Sequence, residues 1–403
     1  MPTVRLQPTT FVAGGAAMAR DANGRVTFID GALPGEVVDA EITDEQRDFA
    51  RAVAVEIIEA SPERVAAPCP HVARGCGGCG WQHLAPEAQL RGKEQILLDA
   101  LRRTARLDTP PPVRHAASPA GLRTTIRVGV VDGRAGFRRR ASDEIVAVDS
   151  CLVSHPLLND ALASGSFGDA SEALLRVSVA TGDGIALVAP SAAGVHLPSW
   201  MTVTDQHGRP AIEEDVAGCR LRVTGDAFFQ AGPAVAEALV VEVKAAAGDV
   251  SGRRVVDAYG GVGLFARAVA AEGGAAAVEV IESHALAASD ARHNLKGHPA
   301  KVVRCEVGRW RPSPTDVVIA DPARPGLGRP GVTALVAAAP SVLVLVSCDP
   351  ASLARDTRLL MNAGYRPVQV TLIDAFPHTP HIEAVARFEA DPTLVERSDK
   401  FHE

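Results

Sequence analysis

Over the first sixty positions apolar and polar residues alternate in short runs interrupted by Gly and Pro, as in GRVTFIDGALPGEVVDAEI and DFARAVAVEIIEA. Period-two runs with turns at close spacing predict a small all-β barrel over residues 1–60. A cysteine-rich segment follows. Leu90, Leu97 and Leu101 then fall near one face of a helix predicted from Pro86 to Leu107, a helix placed to pack on the carboxy-terminal half. LDTPPPVRHAASPA breaks it and reads as a linker. From Gly121 to Val223 runs rich in Val, Gly and Thr predict more strands, so residues 61–225 read as a β-rich central domain.

From Arg254 the pattern changes. The apolar runs RVVDAY, AAAVEVI, AKVVRC, TDVVIA and SVLVLVS alternate with the helical stretches LFARAVAAE, HALAASDARHNL, GVTALVAAA and ASLARDTRLLMNAG. Such alternation predicts a mostly parallel sheet with helices on both faces, an α/β domain over residues 226–403. Ligands of such sheets bind beyond the carboxyl ends of the strands. Asp257, Glu282, Asp321 and Cys348 all fall there.

Composition narrows the picture. A length of 403 residues suits two or three domains. The longest apolar tract, Gly331 to Val346, is interrupted by Pro340 and is too short to span a bilayer, and the first twenty residues lack a signal-like apolar core. A cytoplasmic protein without membrane partners, and a monomer, is expected. A net charge of -7 argues against binding nucleic acid by bulk charge, but local clusters can still contact phosphates. Arg138, Arg139 and Arg140 form one candidate cluster, and Arg102, Arg103 and Arg106 another.

Seven cysteines in such a chain read as ligands, nucleophiles or small apolar residues rather than disulfides. Cys69, Cys76 and Cys79 in APCPHVARGCGGCGWQHL, with Cys151 downstream, match an iron-sulfur site or a structural zinc site. Cys219 and Cys305 read as buried apolar residues.

In VVDAYGGVGLFA, Asp257 ends a strand and Gly260, Gly261 and Gly263 form the turn after it. A carboxylate at that turn would repel a pyrophosphate, which argues against a nicotinamide-dependent oxidoreductase. It would attract the ammonium and sulfonium of S-adenosylmethionine. Glu282, at the next strand end, is placed for ribose hydroxyls. Cys348 precedes Asp349 and Pro350, a good helix cap and first residue, so a lowered thiol pKa is expected. Asp321 and Glu383 supply carboxylates for the same crevice. A thiolate, a carboxylate and a methyl donor suit methylation of uracil carbon 5: addition to carbon 6 activates carbon 5, and a base then removes its proton.

The motifs SCDPASLARD, ADPARPGLG, DAYGGVGLFA, FFQAGP and DAFPHTPHIEAVARFE, in that mixed set, resemble the RNA uracil-5-methyltransferase family. GGAAMARDANGRVTFIDGALPGE resembles the RNA-binding TRAM domain, an OB-like barrel, and the remainder implies a class I methyltransferase fold. The resemblance implies Cys348 as nucleophile and Glu383 as general base. It implies Gln230, Asp257, Tyr259, Gly261, Gly263, Glu282 and Asp321 around the cofactor S-adenosylmethionine and the target base. It also implies a [4Fe-4S] cluster on Cys69, Cys76, Cys79 and Cys151, with 23S ribosomal RNA as partner. A tRNA target, and an inactive RNA-binding iron-sulfur protein, are the alternatives. The chain departs from the family pattern at Gly232, Gly260 and Ala323.

Overall fold

A computed structural model describes residues 3–116 and 122–391. The first six strands form one sheet in the order Thr3–Leu6, Val37–Glu45, Phe49–Glu59, Val26–Asp30, Ala17–Arg20, Thr10–Phe11. Their alternation puts Ala17, Ala19, Ile29, Ala40, Ala50 and Ala52 inside. Small residues suit the interior of so tightly curved a sheet. Register shifts between Val37–Glu45 and Phe49–Glu59 help to curl it.

The barrel core continues into Trp81, Leu84, Ala88 and Ile96, so the cysteine segment and the following helix seal its open side. That helix spans Pro86–Arg103, ending before Leu107. Its other face sends Leu97 and Leu101 into a core shared with Leu353, Leu360 and Leu372 of the carboxy-terminal half. One helix is therefore buried on two sides. Lys93 lies on it with a fully buried side chain.

The segment expected as a linker contains a strand, Val113–His115, which pairs in parallel with Tyr365–Ile373. Prolines 110–112 hide it from a periodicity reading, yet proline is tolerated where a strand enters a sheet edge. Residues 117–120 of that linker lie outside the described residues. The central sheet has the order Ile145–Ala147, Arg134–Arg138, Thr125–Val131, Glu172–Val177, Gly184–Ala189, Met201–Asp205. The hairpin Ala211–Val216 and Cys219–Thr224 follows in sequence but packs elsewhere. Its Ile212, Val216, Leu221 and Val223 join Leu239, Val255 and Val344 in the carboxy-terminal core, as does the buried Cys219.

The last sheet has eight strands: Ala300–Val303, Ala277–Ile281, Arg254–Ala258, Val317–Ala320, Val342–Ser347, Glu383–Ala390, Tyr365–Ile373 and Val113–His115. The first five run parallel. They are covered on both faces, and Val342–Ser347 is buried at every position. Strand order reverses at Arg254–Ala258: the chain builds outward from it through Ala277–Ile281 and Ala300–Val303, then returns to its other side with Val317–Ala320. Glu383–Ala390 is inserted antiparallel next to Val342–Ser347. Among the described residues no helix is long and apolar enough to cross a membrane.

Candidate functional site

The antiparallel insertion explains how two distant side chains meet. Ser347 pairs with Ala384, so the residue after one strand, Cys348, and the residue opening the other, Glu383, lie at the same end of the sheet. Asp321 follows the adjacent strand Val317–Ala320, and Asp257 occupies the end of the strand beyond that. Cys348, Glu383, Asp321 and Asp257 thus come from four neighbouring strands.

Their protonation follows from crowding. Asp257 is fully buried, and its Oδ2 accepts from the Ala266 N–H at 2.7 Å. Its Oδ1 is buried without a hydrogen-bond partner. Burial, opposed by the Ala266 N–H, and the charges of Asp321 and Glu282 push the carboxyl up to about 7. Burial also raises Asp321 to about 7 against the Gln230 amide, whose Nε2 donates to its Oδ2 at 3.0 Å. Glu383 is buried and pushed well up by that burial and by the charge of Asp321.

The thiol corrects one expectation. Asp349 does cap the helix Pro350–Asn362, accepting from the Ser352 N–H at 2.7 Å. The Cys348 thiol is nevertheless raised to about 11, first by burial and then by the charges of Glu383 and Asp321. Arg324 and a backbone hydrogen bond act the other way and lose. Removing a thiolate from water beside two carboxyls outweighs the pull of one helix end.

Beside this cluster a cleft of about 210 Å³ is lined by Tyr259, Ile281, Glu282, Cys305, Leu327 and Gly331, among others. Glu282 accepts from the Gly261 N–H at 2.9 Å and from the His284 N–H at 2.5 Å, so it braces the turn as well as facing the cleft. Gly261 and Gly263 have φ of 54° and 88°, the left-handed region that favours glycine. Tyr259 shares that conformation at φ 60°, and burial lifts its phenol to about 12, so it stays a donor. Cys305 is half-buried against this cleft, not an interior apolar residue.

Two departures from the family pattern have a steric reading. A Cβ at Gly260 would meet Val280 Cγ1 at 2.6 Å, and one at Gly232 would meet the Leu122 carbonyl oxygen at 2.6 Å. The chain is packed for glycine at both. For Ala323 nothing in the structure explains the change.

The four candidate ligands are free thiols in one neighbourhood. Burial raises Cys76, helped by charge on Cys151 and Cys69. Cys79 is raised to about 11 by burial, with Cys151 and Cys76 adding to it and Gln82 and Arg123 opposing. Among the described residues no group of three or more His, Cys, Asp or Glu is placed to hold a single metal ion.

The arginine cluster expected to face phosphates is already occupied. Arg138 lies 3.5 Å from Asp143, Arg139 makes two hydrogen bonds to Glu144 at 2.9 and 3.0 Å, and Arg140 reaches Asp30 of the barrel at 2.6 Å.

Sequence reasoning missed the residues that hold the segment before Glu383. Lys93 Nζ donates to Asp374 Oδ1 at 2.5 Å and to the Phe376 carbonyl at 2.8 Å. The His378 N–H donates to Gln89 Oε1 at 2.7 Å, and the Trp81 N–H to the His378 carbonyl at 2.8 Å. A lysine on the apolar face of a predicted helix was the available signal.

Residues 8–55 match the TRAM domain. Over 93% of its length the chain is 36% identical to a protein of Streptomyces coelicolor named an uncharacterized RNA methyltransferase, covering 90% of that protein. It is 34% identical to one so named from Streptomyces avermitilis, over 93% of this chain and 95% of that one. An Aquifex aeolicus protein of the same name is 30% identical over 96% of this chain and 98% of its own. Among solved structures, the tRNA (uracil-54, C5)-methyltransferase of Pyrococcus abyssi, in complex with S-adenosyl-L-homocysteine, superposes with a TM-score of 0.73. It is 23% identical and covers 95% of this chain and 99% of that one.

Proposed function

The chain belongs to the family of RNA methyltransferases, and from that premise we propose that it forms 5-methyluridine in a structured RNA, using S-adenosylmethionine. The observation that carries this reading is the strand register that brings Cys348 beside Glu383 and Asp321. 23S ribosomal RNA is the first target to test. A tRNA is the second, favoured by the whole-chain likeness to an enzyme that acts on tRNA.

S-adenosylmethionine supplies an electrophilic methyl group on a sulfonium. The buried, unpartnered Oδ1 of Asp257 fits its ammonium, and Glu282 fits the ribose hydroxyls. Tyr259, with the turn at Gly261 and Gly263, shapes the cleft, while Gln230 and Asp321 hold the edge of a uracil. That base must leave its stack to reach Cys348. Cys348 gives up its proton to solvent and its thiolate bonds to carbon 6, with Arg324 favouring the anion. That addition leaves an electron pair on carbon 5, which takes the methyl as the sulfonium's sulfur–methyl bond breaks, and the neutral thioether departs. Glu383 removes the proton from carbon 5, burial and the charge of Asp321 making its carboxylate the more basic, and the sulfur–carbon bond breaks to release Cys348 as thiolate.

The same reading assigns a [4Fe-4S] cluster to Cys69, Cys76, Cys79 and Cys151. Four half-buried thiols from two segments, of which Cys76 and Cys79 sense the charge of the others, are a soft donor set of the kind such a cluster takes. Zinc on the same four thiols is the alternative. When bound, a cluster would cross-link the Cys76–Cys79 hairpin to the turn at Cys151.

Denaturing gels with methyl-labelled cofactor test the catalytic assignment. Glu383→Gln is expected to accumulate labelled protein–RNA adduct, and Cys348→Ala to form none. Release of methylated RNA by Glu383→Gln at the normal rate would remove Glu383 from the role of base. Supplying 23S RNA and tRNA in parallel assigns the target.

A further inference from the structure

We propose that the barrel takes part in the base step: its Gly14–Gly15 turn is a positioning contact for the segment that carries Glu383. The inference rests on the role given to Glu383 above. His378 of that segment has φ 63°, a left-handed conformation that a non-glycine residue keeps only where its surroundings fix it. Both sides of it are fixed: its N–H donates to Gln89 Oε1 at 2.7 Å, and its carbonyl accepts from the Trp81 N–H at 2.8 Å. Pro380 follows two residues later. Glu383 comes three after that, at most about 11 Å further along the chain.

The barrel meets this stretch at Pro380. Trp81, buried against Phe11 with ring centres 4.6 Å apart, donates its indole N–H to the Gly15 carbonyl at 2.9 Å. Gly15 lies so close that a Cβ there would meet Pro380 Cβ and Cγ at 2.6 Å and Trp81 Nε1 at 2.9 Å. Trp81 is thus tied to the barrel through its indole and to the strained His378 through its backbone. Gln89 braces the same group, its Nε2 donating to the carbonyls of Trp81 and Leu84 at 3.2 and 2.8 Å.

The two glycines of the turn differ in one respect. Gly14 and Gly15 have φ of 90° and 88°, so an alanine at either meets the same backbone strain. At Gly14 a Cβ would meet nothing within 4 Å, whereas at Gly15 it would run into Pro380. Carbon atoms pack at about 3.5–4.0 Å, so the turn and the proline would have to part by about an ångström. Misplacing a catalytic group by that distance can cost up to about a hundredfold in rate. The pair of substitutions therefore isolates the contact from the strain.

In the full-length protein, hydrogen exchange at residues 378–383 is expected to speed up about tenfold in Gly15→Ala and to keep the parent rate in Gly14→Ala, with the buried strand Val342–Ser347 protected in both. The base step is read with methyl-labelled cofactor and whichever RNA, 23S or tRNA, Glu383→Gln captures as adduct. Proton removal follows methyl transfer, so the methylated adduct should live about tenfold longer in Gly15→Ala than in Gly14→Ala. A general loss of fold would lower the amount of adduct without prolonging its life. Should Gly15→Ala not fold, Trp81→Phe decides by the same criterion: it removes the indole bond to Gly15 and should change both readouts about fivefold. Equal exchange in the two glycine variants, or methylated adduct resolving at the parent rate in Gly15→Ala, overturns the proposal. Capture of no RNA by Glu383→Gln would defeat the role given to Glu383 and this proposal with it, and the exchange contrast, which needs no RNA, tells the two failures apart.

Discussion

With no RNA bound, Cys348 is expected to be a slow nucleophile. Its thiol is raised to about 11 by burial and by Glu383 and Asp321. At pH 8 a thiol of that pKa is about one part in a thousand thiolate, against about one part in four for an ordinary cysteine near 8.5. The ratio is roughly 200-fold. A more basic thiolate is intrinsically the better nucleophile, with a Brønsted slope near 0.4–0.5, which returns about tenfold over 2.5 pH units. Alkylation of Cys348 by iodoacetamide should then run about twentyfold slower than that of an exposed cysteine, before any steric factor. Mass spectrometry of the peptide containing Cys348 reads the rate free of the other thiols. The slope decides the matter, because access to the sulfur scales every rate alike: the rate should climb tenfold per pH unit from pH 7 to pH 10. Glu383→Gln removes one of the charges that raise the thiol and should move the bend to lower pH. A plateau below pH 9 would show that the helix end at Asp349 and Arg324 prevail over burial, and the reasoning would fail.

Lys93→Met strands Asp374 at the base of the segment that leads to Glu383. Removing one partner of a buried pair costs ~3–5 kcal/mol, and the 16% exposure of Asp374 brings the expected loss to about 2–4 kcal/mol in urea unfolding. Glu36 in the barrel is opposed by burial but held below the usual carboxylate range by Arg64 and by the N–H groups of Leu33 and Ser61. A depressed carboxylate contributes stability above its unfolded pKa and loses it as pH falls through the folded one. Thermal melts of Glu36→Gln should therefore show lower stability at pH 7 and a flatter decline below about pH 4 than the parent chain. Replacing Arg138, Arg139 and Arg140 together by Ala should leave the salt dependence of RNA binding unchanged, since each already faces a carboxylate. A shallower slope in filter binding at several salt concentrations would restore them as phosphate contacts.

The parallel strands were legible because each is a continuous apolar run closed by a polar residue, as at Asp257, Asp321 and Cys348. Those terminal residues were legible as a site for the same reason: beyond a strand's carboxyl end a carboxyl or thiol packs no core. Val113–His115 was hidden because three residues at a sheet edge carry no periodicity. The hairpin at residues 211–224 was assigned to the wrong neighbour because its alternation specifies a buried face and not what buries it. Pairings across long separations leave little local trace: Arg140 with Asp30 leaves none, and Lys93 with Asp374 only a lysine on an apolar helix face, which does not name its partner.

The raised thiol and the raised carboxyls have one cause, and it bears on which ligand the recess accepts. Asp257 and Glu383 are buried and Asp321 and Cys348 half-buried beside them, so water screens them poorly and each ionisation makes the next more costly. The recess therefore favours a cation, which would lower every one of those pKa values together. A pyrophosphate would do the reverse, adding charge beside the unpartnered Oδ1 of Asp257. On this argument the sulfonium-bearing donor and the arriving uracil do more than fill the site. On the mechanism proposed above, a bound positive donor would increase the thiolate fraction of Cys348 and leave Glu383 able to take a proton, so that both groups become competent when the methyl group is in place. The alkylation assay applied with S-adenosylmethionine present, and then with its neutral demethylated product, separates charge from occupancy. Faster alkylation with the sulfonium than with the neutral thioether supports the electrostatic account. Equal rates with both ligands would leave shape alone to explain the effect.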